Sequence, residues 1–226
     1  LEDSRVELND DLLLINQEHL IPSDREPEIV EYEDSTVYMN KNVPQAYWEL
    51  KTAVHDKFAE NLYIMSAYRT ADEQADILAE GNEAATAIGA SEHEWGLALD
   101  VYVMYHAGAG FLNHPAGVWV NQNAQDYGFI IRYPSYGVEQ TGIQFEPWHL
   151  RYVGPVHAQI MTESRLTLEE YLASLQEGNF YQYENYLISK QAGTKFLLPQ
   201  DYASLSISPD NMGSYILTIE LALDER

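Results

Sequence analysis

The chain contains no cysteine. Disulfides, thiolate nucleophiles and cysteine-held metals are therefore excluded, and any metal site has to be built from His, Asp or Glu. Positive charge is scarce: 12 Lys and Arg stand against 36 Asp and Glu, a formal net charge of −24. Such a surface repels phosphate backbones and anionic headgroups, so nucleic acid and acidic membranes are poor partners. No apolar run approaches the roughly 20 residues that cross a bilayer, and no stable membrane insertion is expected of this stretch. It opens LEDSRVE, without an initiator methionine, so a signal peptide or anchor, if there is one, is expected upstream.

What is present suits a folded protein. Of 226 residues, 46% are hydrophobic and 12% aromatic, enough for one core of ordinary size with a small addition. Three regions are expected: an acidic lead-in over 1–40, a main domain over 41–177, and a small β-rich extension over 178–226. In the lead-in, DDLLLIN reads as a short strand and IPSDREPEI as loop.

In the main domain, VPQAYWELKTAVHDKF reads as an amphipathic helix, with Pro44 in its first turn and Tyr47, Leu50, Val54 and Phe58 on one face. LYIMSAY reads as a buried strand ending at Arg69. Thr70 to Glu73 forms a capping box that opens a helix running to Gly81. Strands are expected in LALDVYVM, FIIRYP and around WHLRYV, and helices in VWVNQNAQDYG, GPVHAQIMTES and TLEEYLASLQ. In the extension, YQYENYLIS, TKFLLP, YASLSIS and SYILTIELAL read as short strands.

The chemistry concentrates in two stretches. In SEHEWGLALD, His93 and Asp100 flank Gly96, which permits a tight bend between them. In EPWH, His149 adds a third ligand of the kind catalytic zinc uses, with one position left for water. Glu146 is then a free carboxylate beside the ion, suited to take a proton from water whose pKa the metal lowers to about 7. Arg69 at its strand-to-helix junction suits a carboxylate clamp through two parallel hydrogen bonds, with Gln74 and Ser91 adding polar contacts. A clamp for a chain terminus beside a hydrolytic metal predicts a carboxypeptidase, since an internal peptide bond offers no carboxylate to hold.

Each residue also has a plainer reading. A lone histidine is more often packed or exposed than ligating, and His19, His55, His106, His114 and His157 are read that way. Glu146 alone is a residue before a proline, and Arg69 alone a surface ion pair. Trp148 is expected to pack against Glu146 and His149, and Trp95 to line the cleft rim.

Together, SAYRTADEQ, SEHEWGLALDV, YGFIIRYP, TGIQFEPWHLRYVG and LTLEEYL resemble the VanY-type D-alanyl-D-alanine carboxypeptidases. These belong to a zinc-peptidase superfamily shared with lysostaphin-type enzymes and the sonic hedgehog signalling domain. The resemblance covers roughly residues 43–174. Ala67 replaces a frequent glycine, and Glu94-Trp95 a frequent Gln-Thr.

It implies an α+β fold in which a small antiparallel sheet flanked by helices carries the metal. It implies zinc on His93, Asp100 and His149, with Glu146 as the base. Arg69, Gln74 and Ser91 would receive a terminal D-alanine. The implied substrate is a peptidoglycan stem peptide, cut outside the cytoplasmic membrane of a Gram-positive bacterium by a monomer. Removal of D-alanine from D-Ala-D-Ala ends is the first expectation. L,D-carboxypeptidase action on tetrapeptides and a non-catalytic wall-binding module are the alternatives.

Overall fold

The computed structural model describes residues 3–79 and 86–222. In chain order, the first elements are β1 (Val6–Leu8), β2 (Ile29–Tyr32), β3 (Val37–Asn40), α1 (Val43–Phe58), β4 (Leu62–Ser66) and α2 (Ala71–Ala79). There follow β5 (Ala98–Val103), α3 (Pro115–Asn123), β6 (Phe129–Ile131), α4 (Val138–Thr141), β7 (His149–Tyr152), α5 (Pro155–Ser164) and α6 (Leu168–Ser174). The chain closes with β8 (Phe180–Tyr183), β9 (Tyr186–Ala192), β10 (Ser204–Pro209) and β11 (Ser214–Glu220). The expected α+β class is the observed one.

Residues 15–167 form one compact unit. Its centre is an antiparallel four-stranded sheet in the order β4-β5-β7-β6. Strand β5 alternates from Leu99 onward: Leu99, Val101 and Val103 are buried in the core, while Asp100 and Tyr102 point to the opposite face. The ladder sets Asp100 directly across from His149 on β7 and from Ser66 on β4, where a bulge falls between Ile64 and Ser66. Directly opposed residues hold their side chains within contact reach, so register alone brings two of the expected ligands together.

The helices follow their sequence signals. Helix α1 starts with Pro44 in its first turn and buries Tyr47, Leu50 and Val54. Phe58 is half-buried and meets Trp119 edge-to-face. The Thr70–Glu73 box closes reciprocally, Thr70 N donating to Glu73 Oε2 at 2.7 Å and Glu73 N to Thr70 Oγ1 at 3.2 Å. The expected stop of α2 at Gly81 lies outside the described residues.

A second unit joins the described residues of 1–14 to those of 168–226. Its five-stranded sheet has the order β1-β10-β11-β9-β8. Strand β1 pairs parallel to β10, Val6 with Leu205 and Leu8 with Ile207, and Leu205, Ile207, Leu217 and Ile219 form a core under it. The N-terminal residues belong there because β1 satisfies one edge of β10.

Two expected strands are absent. Leu12–Ile15 are buried but irregular, since Ser208 Oγ takes the Leu12 N–H and Asn211 donates to the Leu14 carbonyl. TKFLLP makes no ladder: the Gln191 side chain accepts from Leu197 N and donates to Leu197 O, occupying the groups a neighbouring strand would need.

Candidate active site

His93 sits in a 3₁₀ turn, Glu92–Trp95, that ends at Gly96 with φ +70°. A Cβ there would lie 2.6 Å from Asn40 N, so both the left-handed backbone and the close approach of β3 require glycine. His93 Nδ1 lies 2.7 Å from the Ala67 carbonyl oxygen. That nitrogen therefore carries the proton and donates, leaving Nε2 to face Asp100.

The Asp100 carboxylate stands between the two imidazoles. Its Oδ2 is 3.3 Å from His93 Nε2 and its Oδ1 3.1 Å from His149 Nδ1. One donor atom from each of His93, Asp100 and His149 lies within 4.8 Å of the others, the only such trio among the described residues. His93 Nε2 and Asp100 Oδ1 are buried with no hydrogen-bond partner. Folded proteins seldom leave such atoms unpaired, and two imidazoles with one carboxylate match the donor set of a divalent ion with an open position.

The field around the trio is mixed. Burial opposes the charge on Asp100, yet His93 and His149 hold its carboxyl below the usual range. Burial also opposes the charge on His149, but Asp100 and Glu92 outweigh it and push the imidazole up to about 9. Glu146 Oε2 lies 3.5 Å from His149 Nδ1. Burial raises the Glu146 carboxyl above its ordinary value and Asp100 adds to the rise, while His149 and Arg69 oppose it. A carboxyl so raised is a better proton acceptor.

The trio opens into a cavity of about 330 Å³ whose walls include Arg69, Gln74, Ser91 and Glu146. All seven residues singled out from the sequence thus meet in one cleft. Arg69 N donates to the His93 carbonyl at 3.1 Å, fastening the β4–α2 junction to the 3₁₀ turn. Its Nε is buried without a partner. Gln74 Nε2 donates to Thr86 O at 2.7 Å, and its Oε1 is a buried acceptor with no partner.

Other expectations separate. His19, His55, His106, His114 and His157 do not line the cleft. His114 Nδ1 caps α3 by accepting from Ala116 N, and burial depresses the His157 imidazole to about 3. Trp148 is half-buried and lines the cleft, its carbonyl accepting from Val101 N. Trp95 is not a rim residue: it is 1% exposed, with the Arg25 guanidinium over its ring at 5.2 Å.

The sequence reading missed Tyr133, whose ring packs 4.9 Å from that of His149. It also missed the ion pairs of Glu92 with Arg132 and Arg151. The available signal was an arginine in each of two otherwise apolar strands, FIIRYP and HLRYV.

Comparison with known proteins points to one family. The family described as VanY, D-alanyl-D-alanine carboxypeptidase, matches residues 36–155, more than half of the chain. A D-alanyl-D-alanine carboxypeptidase of Enterococcus faecium is 37% identical over 197 residues, which are 82% of this chain and 63% of that protein. The chain thus spans less than two thirds of that relative's length.

Among solved structures, the vancomycin-resistance D,D-dipeptidase VanXYg, in complex with a D-Ala-D-Ala phosphinate analogue, superposes with a TM-score of 0.81. It is 25% identical, covering 93% of this chain and 94% of that one. A mutant of the D,D-pentapeptidase VanY from a VanB-type cassette, in complex with Zn(II), gives 0.64 at 28% identity, covering 72% and 98%. With its family match, its identity to the enterococcal enzyme and its shared fold, the chain belongs to the VanY family of D-alanyl-D-alanine carboxypeptidases.

Proposed function

We propose that this protein is a zinc-dependent D,D-carboxypeptidase that removes the terminal D-alanine from peptidoglycan stem peptides. The observation that carries the reading is the meeting, in one cleft, of the His93–Asp100–His149 trio, the raised Glu146 carboxyl and the Arg69 guanidinium. The zinc-bound VanY relative supports the choice of ion. His93, Asp100 and His149 would hold zinc, which when bound acidifies water and polarises a carbonyl.

The chain's own groups do the rest. Arg69 pairs with the terminal carboxylate, which sets the preceding peptide bond against the trio. Gln74 presents an acceptor, Oε1, suited to a substrate N–H, and Ser91 a hydroxyl. Glu146 takes a proton from the water as its oxygen adds to the carbonyl carbon, then gives that proton to the amine nitrogen as the peptide C–N bond breaks. Peptidoglycan lies outside the cytoplasmic membrane, so action there is part of the proposal. No helix among the described residues is long and apolar enough to cross a membrane.

The test is incubation of the zinc-loaded protein with a pentapeptide stem ending in D-Ala-D-Ala and with the tetrapeptide ending in one D-Ala. Release of D-alanine from the pentapeptide is expected, and Glu146→Gln should abolish it while zinc content stays at one per chain. Release from the tetrapeptide alone would transfer the assignment to L,D-cleavage. No release from either peptide would defeat the enzymatic reading.

A further inference from the structure

The 3₁₀ turn that presents His93 also carries Glu92, whose side chain turns inward. Glu92 is 1% exposed, and its two partners, Arg132 and Arg151, are 1% and 0% exposed. Arg132 Nε and Arg151 Nη1 each donate to Glu92 Oε1 at 2.7 Å. A carboxylate removed from water must be paired, and one guanidinium would suffice for its charge. Here both sit on the same oxygen. The other, Oε2, is buried with no hydrogen-bond partner and stands 3.9 Å from His149 Nε2, itself buried and unpartnered.

The His149 ring therefore has two distinct sides. Nδ1 faces Asp100 Oδ1 at 3.1 Å and Glu146 Oε2 at 3.5 Å, the ligand side. Nε2 faces Glu92. His93 is arranged in the mirror sense, with Nδ1 on the Ala67 carbonyl and Nε2 toward Asp100. Each imidazole has an acceptor behind its outward nitrogen, and that acceptor decides which nitrogen keeps the proton.

Resting on the metal reading above, we infer that Glu92 is a positioning residue for the metal. Its Oε2 is the acceptor that keeps a proton on His149 Nε2 and so reserves the Nδ1 lone pair for the ion. Arg132 and Arg151 have two effects. They keep Glu92 ionised and anchored away from the ligand side. By drawing charge onto Oε1 they also weaken Oε2 as a base, so the proton stays on the imidazole. A cluster that merely braced the turn against β6 and β7 would have no reason to leave one oxygen turned toward a ligand.

Glu92→Gln is the sharp test. The two arginines claim the single amide oxygen, which leaves the NH₂ facing Nε2 and reverses the preference between the two tautomers. Zinc affinity, measured by chelator competition on the whole chain, should weaken about 10–100-fold. Nitrogen-15 NMR of the metal-free protein at pH 10, where the ring is neutral, should show the His149 proton moving from Nε2 toward Nδ1. A second variant, Glu92→Met with Arg132→Met and Arg151→Met, replaces the ionic cluster by apolar side chains, a change that folded proteins commonly accept. It should melt cooperatively and still bind zinc about 10-fold more weakly.

Native zinc affinity and an unmoved Nε2 proton in either variant, once folded, would reduce the cluster to a brace and overturn the inference. Failure of the unmutated protein to bind zinc in the same titration would instead overturn the metal reading beneath it.

Discussion

Replacing Gly96 by alanine adds one methyl group at the bend between His93 and Asp100, and two separable costs follow. The first is conformational: Gly96 has φ +70°, and an L-residue in the left-handed region costs about 1–2 kcal/mol. The second is steric. The new Cβ would lie 2.6 Å from Asn40 N and 2.7 Å from Ile29 Cδ1. The isoleucine tip can rotate aside, but Asn40 N is backbone and is tied to the Gly96 carbonyl by a 2.9 Å hydrogen bond. Forcing a methyl group into such a space costs about 1–3 kcal/mol, for a total of about 2–5 kcal/mol.

Gly142 supplies the control, because it has the same φ of +70° with nothing within 4 Å of its Cβ position. Gly142→Ala should therefore lose only the conformational part, about 1–2 kcal/mol. Urea unfolding of both variants separates the two costs, and chelator competition reports whether the His93–Asp100 spacing survives. Equal losses at the two sites, with zinc affinity untouched in Gly96→Ala, would refute the claim that β3 presses on this bend.

Two further outcomes can be checked. Arg69→Lys replaces a planar two-bond clamp by a point charge; kcat/KM on D-Ala-D-Ala substrates should fall about 100-fold, close to 3 kcal/mol, and unchanged turnover would remove Arg69 from substrate binding. His157 gives a pH dependence. Burial depresses its imidazole from 6.5 to about 3, so below pH 6.5 the unfolded chain binds a proton that the folded chain refuses. Stability is lost as pH falls from 6.5 toward 3, by about 2 kcal/mol at pH 5. His157→Leu should flatten that slope, and a slope identical to the parent's would show that His157 does not titrate on unfolding.

What the sequence made legible was what the chain builds locally. The Thr70–Glu73 box lies within a single helical turn, so covalent proximity determines its partners. The bend at Gly96 is equally local. His149 stands 49 positions after Asp100, yet both could be named because a metal needs ligands of restricted type and the motifs around them are distinctive.

The Glu92 pairs were hidden for the opposite reason. Their partners lie 40 and 59 residues away, and nothing in FIIRYP or HLRYV tells which carboxylate each arginine meets. The pairing of β1 with β10 joins Val6 to Leu205, a distance at which strand periodicity carries no information about register or partner. Trp95 illustrates a third limit. It was expected at the cleft rim, but it is buried, with the Arg25 guanidinium from a loop 70 residues earlier over its ring.

The split composition of the second unit has a consequence for synthesis. Residues 15–167 are contiguous, so the cleft can close on itself while the rest of the chain is still being made. Strand β1 precedes that stretch and its partner Leu205 follows it. The β1 residues therefore wait unpaired while the intervening residues are made, and slowing elongation between the two strands should prolong the interval in which that waiting segment is open to proteases or chaperones.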